Sequence, residues 1–86
     1  MDKERKREAQ RIVVEIYGNS YPLKTDNPDR LEKLAAEVDR KMKQMARSVR
    51  SFDDRKIAVL TALQIAEEYQ DLRADYDELI ELMDEK

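Results

Sequence analysis

The chain is 86 residues long and carries a formal net charge of −3, with 43% charged and 41% hydrophobic residues. It contains neither histidine nor cysteine, which excludes disulfides and thiolate metal sites and removes the commonest metal ligand and general base. A single glycine is too few for a phosphate-binding loop or a nucleophile elbow. We therefore expect no catalytic site, no cofactor and no bound metal.

Size and composition also bear on assembly and location. A small, highly charged chain has little apolar surface for a core of its own, so self-association is expected. Met1 is followed by charged residues, and no apolar run approaches the ~18 residues that a membrane span requires. We expect no membrane contact and a cytoplasmic location.

Residues 1–10 mix both charge signs without apolar periodicity, which predicts a disordered arm. Its basic side chains are Lys3, Arg5, Lys6 and Arg7. Acidic residues are interspersed among them, and no aromatic residue is present to stack on bases, which argues against a nucleic-acid arm.

Apolar and polar residues alternate over residues 11–17, which predicts a strand with one apolar face. Gly18 and Asn19 tolerate positive φ and predict a two-residue turn, and hence a β-hairpin. This turn would pair Ile16 with Tyr21 and Val14 with Leu23. Because two strands alone are marginally stable in water, helices are expected to cover the apolar face.

A first helix is predicted after the hairpin. Asp26 or Asn27 can cap it, Pro28 suits its first turn, and the apolar stripe continues to about Ser48. The stripe consists of Leu31, Leu34, Ala35, Val38, Met42, Met45, Ala46 and Val49.

A second, longer helix is predicted over residues 53 to about 83. The short link before it contains Phe52, which we expect to fill the junction between the two helices. Residues 57–66 are apolar on nearly every side, which is typical of a buried helix. Beyond them the apolar residues recur at spacings of three and four, the seam of a coiled coil.

This helix therefore predicts an oligomerisation surface. Its residues are Ile57, Leu60, Leu63, Ile65, Tyr69, Leu72, Tyr76, Leu79 and Met83. The whole sequence predicts an α+β, mostly α, oligomeric protein. Residues 11–66 form a ββα head with the start of the second helix, and residues 67–86 form a coiled-coil stalk.

Charge is distributed unevenly along the chain. Residues 40–56 contain seven basic and two acidic side chains, whereas residues 67–86 contain nine acidic and two basic ones. A basic segment and an acidic one in a small chain indicate either electrostatic pairing between copies or an acidic partner for the head, and solvated helix faces are the simpler alternative. One alternative is a small nucleic-acid-binding coiled-coil protein that uses residues 40–56 together with the basic arm.

Three groups of residues carry a resemblance to a known family. They are Val14-Glu15-Ile16-Tyr17-Gly18 with Tyr21, then Leu34-Ala35, Val38-Asp39 and Lys41-Met42, then Leu60-Thr61-Ala62-Leu63, Ile65-Ala66 and Tyr69. In their order and spacing, residues 11 to about 82 resemble the ZapA family of bacterial division-ring proteins, in the short form of Gram-positive bacteria.

The resemblance implies a non-enzymatic adaptor whose heads dimerise and whose stalks pair into antiparallel tetramers. The implied partner is FtsZ, the tubulin-like division protein, whose filaments such an adaptor crosslinks or bundles, promoting Z-ring assembly at the division site. The implied FtsZ contact lies near the end of the first helix, where Arg50 matches a basic position of the family. Lys43, Arg47 and Arg55 are added to this contact from their charge and proximity.

Overall fold

The computed structural model describes residues 8–84. Its elements are β1 (Gln10–Ile16), β2 (Asn19–Thr25), α1 (Pro28–Val49) and α2 (Asp54–Asp84). A hairpin followed by two helices confirms the predicted α+β, mostly α fold. The predicted arm falls mainly outside the described residues, and its last residue, Gln10, begins β1.

The two strands form an antiparallel hairpin whose turn lies one residue earlier than predicted. The turn residues are Tyr17 and Gly18, with φ of 50° and 81°, and positive φ at both central positions is typical of a type I′ turn. The predicted pairs are therefore wrong, and the observed pairs are Ile16 with Asn19, Val14 with Tyr21 and Ile12 with Leu23. Because the partner of each β1 residue moves by two positions, the apolar side chains still share one face.

A contact with α1 holds Tyr17 in this uncommon conformation. The Tyr17 N–H donates to Oδ1 of Asp39 at 2.7 Å, and the Asn19 side-chain amide donates to the Tyr17 carbonyl at 3.4 Å. Oδ2 of Asp39 lies 2.9 Å from Nζ of Lys43. These bonds offset the steric cost of a bulky residue at positive φ.

Helix α1 has a defined cap at each end. The Asn27 side chain accepts the Arg30 N–H at 3.2 Å, and Pro28 occupies the first turn, where its missing N–H costs nothing. At the other end Arg50 is left-handed, and its N–H donates to the Ala46 carbonyl at 2.9 Å. The helix closely matches the predicted bounds.

The hairpin and α1 form one compact unit, and α2 with its preceding link forms a second. In the first unit α1 packs on β1, and Val14, Ala35 and Met42 are buried. Tyr21 and Leu23 on β2 share the apolar face with Val14 but stay exposed by 42% and 39%. The core of this unit therefore lies under β1.

Helix α2 is an uninterrupted helix of 31 residues. Oδ1 of Asp53 accepts the N–H groups of Arg55 and Lys56 at 3.1 and 3.3 Å, so the Asp53 side chain caps α2. The prediction for Phe52 is wrong, because its side chain is 100% exposed. In the link around Phe52, the Asp53 N–H donates to Oγ of Ser51 at 3.1 Å. The Phe52 ring takes no part in this hydrogen bond.

We predict that Asp39→Asn lowers the thermal midpoint at pH 7, because the neutral amide accepts a weaker bond from Tyr17 and loses the Lys43 ion pair. The hydrogen bonds from Lys43 and then Tyr17 lower the pKa of Asp39 below its ordinary value. The stabilising contribution is therefore complete above the unfolded-state pKa of about 3.9. It is lost as the pH falls through the lower pKa of the folded state.

Thermal melts followed by circular dichroism from pH 7 to pH 3, at one protein concentration, test this prediction. The difference between wild type and Asp39→Asn should shrink on acidification. Glu32→Gln, which removes an exposed carboxylate of the same helix, should leave the midpoint at pH 7 nearly unchanged. A difference between wild type and Asp39→Asn that is the same at both pH values would contradict the role given to the Asp39 charge.

Candidate protein-interaction site

Three of the four basic residues predicted to bind a partner lie on one face of the first unit. Lys43, Arg47 and Arg50 are spaced by four and three residues, which places them in one row along α1. All three are exposed, and we call them the basic ridge. The fourth, Arg55, lies in the first turn of α2 and is not part of this ridge.

The three basic side chains of the ridge differ in whether an acidic side chain of the same chain is paired with them. Lys43 is paired with Asp39 at 2.9 Å. Among residues 8–84, no ion pair is recorded for the Arg47 or Arg50 side chains. Arg47 lies in the last turn of α1, where a cation also stabilises the helix dipole. The free end of the ridge is therefore the guanidinium pair Arg47 and Arg50.

Arg50 occupies a backbone position that usually belongs to another residue type. Its φ and ψ are 53° and 51°, the left-handed conformation in which helices end and in which glycine or asparagine is preferred. A side chain at such a position costs roughly 1–2 kcal/mol before any compensation. An arginine kept there is consistent with a use for its guanidinium beyond the end of the helix.

The predicted coiled-coil seam lies uncovered along the second half of α2. We use the name apolar seam for Tyr69, Leu72, Tyr76, Leu79 and Met83. Their exposure ranges from 54% to 69%, and the Tyr69 hydroxyl lies 3.5 Å from Nη1 of Arg73. Such a row of large apolar side chains marks an interaction surface.

The first half of α2 has one buried side and one uncovered side. Ile57 and Thr61 are 0% and 2% exposed, whereas Val59 and Leu63 are 54% and 63% exposed. The prediction of burial on nearly every side is therefore wrong for a single chain. Ile57, predicted to serve in oligomerisation, is buried within its own chain, whereas Leu63 lies on the uncovered side.

Sequence reasoning missed Val59 as a member of the uncovered side. The signal was present, because an apolar residue at this position lies one helical turn before Leu63. It was hidden by an apolar pattern that surrounds the helix and so identifies no single face.

Within the part of the chain that the structure describes, no group of three or more acidic, histidine or cysteine side chains could hold a metal ion. In the same residues, no helix combines the length and apolar character needed to cross a membrane. The features that stand out in residues 8–84 are three exposed surfaces: the basic ridge, the uncovered side of α2 and the apolar seam.

This architecture places the chain among small ββαα proteins with a long second helix. A family model described as Cell division protein ZapA matches residues 12–86. The chain belongs to the ZapA family of cell division proteins, which confirms the resemblance carried by the three residue groups.

Individual relatives agree with this assignment. A Cell division protein ZapA from Halalkalibacterium halodurans is 38% identical over 71 residues, covering 81% of this chain and 78% of the relative. One from Bacillus thuringiensis strain Al Hakam is 34% identical over 84 residues, covering 96% and 94%. These relatives come from Bacillota, in agreement with the predicted Gram-positive form.

A solved structure described as a ZapA mutant dimer from Geobacillus stearothermophilus is similar in fold. It shares 36% sequence identity, and the match covers 93% of this chain and 94% of that chain with a TM-score of 0.70.

We predict that Arg50→Gly is more stable than Arg50→Ala by up to about 1 kcal/mol, because only glycine adopts the left-handed cap without steric cost. Both variants remove the same charge, so the comparison isolates the backbone. Urea unfolding followed by circular dichroism measures the difference. Equal midpoints would show that the left-handed cap stores no appreciable strain.

Proposed function

We propose that this chain is a non-enzymatic cell-division adaptor that binds FtsZ and crosslinks or bundles its filaments, promoting Z-ring assembly. The observation that carries the proposal is the uncovered apolar seam on a long helix, combined with a separate, exposed basic ridge. The first surface suits self-association and the second suits an acidic partner. Membership of the ZapA family supports a role in division.

Self-association is the first step of the proposed mechanism. Helix α2 has 31 residues, which at ~1.5 Å each span about 46 Å. Burying a Leu-sized side chain contributes about 1.5–3 kcal/mol. Pairing two seams removes the apolar side chains of both from water and therefore favours association. The similar solved structure from Geobacillus stearothermophilus is described as a ZapA mutant dimer, which supports self-association of this chain.

Partner binding is the second step. In this proposal the basic ridge contacts an acidic surface of FtsZ, with Arg47 and Arg50 as the principal side chains. Lys43 of the ridge and Arg55 of the second unit belong to the same proposed contact. Charge complementarity of this kind speeds association and weakens as salt is added.

Bridging follows when both steps occur together. Heads that dimerise, joined by stalks that pair into an antiparallel tetramer, place a partner-binding surface at each end of one particle. A bivalent particle gains strength from effective concentration, so filaments can be held together by contacts that are individually weak. The protein would then act in the cytoplasm at the division site. The organisation into arm, head and stalk, with its boundaries near residues 10 and 66, belongs to the same proposal.

The nucleic-acid alternative has no comparable support. The matched relatives are cell division proteins, and the basic residues of the arm lie outside the described residues. We do not propose it.

We predict that the double variant Arg47→Glu, Arg50→Glu loses about tenfold or more in apparent affinity for FtsZ, because attraction at the ridge becomes repulsion. Co-sedimentation with FtsZ filaments assembled in GTP measures the binding. Helix content from circular dichroism should stay unchanged.

A matched control changes the net charge equally at the other end of the same helix. Arg30→Glu, Lys33→Glu reverses two exposed basic residues and should bind FtsZ as wild type does. Equal losses in the two double variants would indicate a nonspecific effect of net charge, and unchanged binding in the ridge variant would place the FtsZ contact elsewhere.

We predict that Leu72→Glu retains filament binding but reduces bundling at least about tenfold, because one buried leucine per chain is replaced by a charge that resists burial in the paired seam. Gln70→Glu adds the same charge on the same helix without altering the seam and serves as the control. Light scattering reports bundling and co-sedimentation reports binding. Parallel loss of both signals would mean that the seam also supports the filament-binding unit.

A further inference from the structure

In the described part of the chain, the hairpin has two unpaired strand edges, one on β1 and one on β2. The sheet contains only β1 and β2, so each strand has one edge without a strand partner among the described residues. An unpaired edge presents a row of backbone N–H and C=O groups that can pair with another strand.

The two edges are not equivalent. Ile16 and Asn19 close the two-residue turn and form a hydrogen-bonded pair, and such pairs alternate with pairs whose backbone groups point away from the hairpin. The second set contains Arg11 with Lys24, Val13 with Pro22, and Glu15 with Ser20. Pro22 has no N–H, so the outer edge of β2 is interrupted, while β1 keeps every outward donor.

The open edge of β1 is complementary to itself. If two copies of β1 pair in antiparallel fashion about a two-fold axis at Val13, Arg11 of each copy lies opposite Glu15 of the other. Val13, which is 64% exposed, then lies opposite its own counterpart. Opposite charges in directly facing positions stabilise a strand pair.

We infer that β1 is a self-association edge, and that two copies of this chain join their hairpins into one four-stranded sheet in the order β2, β1, β1, β2. This inference rests on the dimerisation of heads in the proposed function and identifies the surface through which two heads would join. The occupant of the edge is a second copy of this chain.

The single chain contains an unfavourable pair that this arrangement compensates. Arg11 faces Lys24 across the hairpin, and like charges in directly opposed positions are destabilising. Both side chains are exposed. In the four-stranded sheet Glu15 of the second copy lies on the other side of Arg11 and supplies the missing negative charge.

The apolar face continues across the same junction. Ile12 and Val14 point to the side of the sheet that α1 covers, and in the proposed register Ile12 of one copy faces Val14 of the other. The side chains on this face alternate in the same phase in both copies. A shift of one residue would break both the charge pairs and this apolar match.

Cysteine crosslinking tests the inference directly, because the chain has no cysteine of its own. Val13→Cys places two thiols in a hydrogen-bonded antiparallel pair whose Cα atoms are about 5.5 Å apart, within the range that a disulfide spans. Under mild oxidation at low micromolar concentration, the full chain with Val13→Cys should form a covalent dimer at least about tenfold faster than the full chain with Ser20→Cys.

Ser20→Cys is the matched control, since Ser20 lies on the same exposed side of the hairpin, opposite Glu15, but on the other strand, and Pro22 keeps that edge interrupted. Equal crosslinking rates, or no crosslinked dimer from Val13→Cys, would overturn the inference. Sedimentation of the reduced protein separates this failure from failure of the proposed function. Association without crosslinking overturns only the edge pairing, whereas a chain that stays monomeric overturns both.

Charge reversal tests the register of the strand pair through the change in the crosslinking rate of Val13→Cys. In the Val13→Cys background, Arg11→Glu places Glu opposite Glu15 of the second copy and should slow crosslinking about tenfold. Within the single chain the same change favours the hairpin, because Glu then faces Lys24. Adding Glu15→Arg should restore the rate to within about twofold, and failure of this rescue would overturn the proposed register.

Discussion

The bond between the Tyr17 N–H and the Asp39 carboxylate is the constraint on which the rest of the first unit depends. It joins the hairpin turn to the middle of α1, and it fixes which two residues form the turn and therefore every strand pair behind it. The same carboxylate holds Lys43, so one acidic side chain sets both the register of the sheet and the charge at the start of the basic ridge. A turn placed one residue earlier or later would change the β2 partner of every β1 residue.

The elements could be predicted from the sequence, because each is encoded by local signals. Alternation gave the strands, Asn27 and Pro28 marked the start of α1, and the seam residues marked α2. The turn was placed one residue late, since Tyr17 carries no local preference for positive φ and Asp39 lies 22 residues away. A contact between residues this far apart produces no periodic pattern in the sequence.

The candidate surfaces were predicted less completely, for a different physical reason. Helical spacing shows which residues share a face, so the basic ridge and the apolar seam could be read from the sequence. It does not show which faces a single chain covers, and for that reason Phe52 was misjudged and the exposed side with Val59 and Leu63 was not recognised. Burial is a property of packing, and a pattern that is apolar on all sides leaves it undetermined.

Helix α2 contains neither glycine nor proline over its 31 residues, so nothing in its sequence provides a hinge. The length of such a helix and the position of its seam are linked through the seven-residue repeat. Adding seven residues would lengthen it by about 10.5 Å and keep the seam nearly in phase, whereas adding three or four would turn the seam partly around the axis. In the proposed bridging role, the distance spanned by this helix would therefore change in steps of whole heptads.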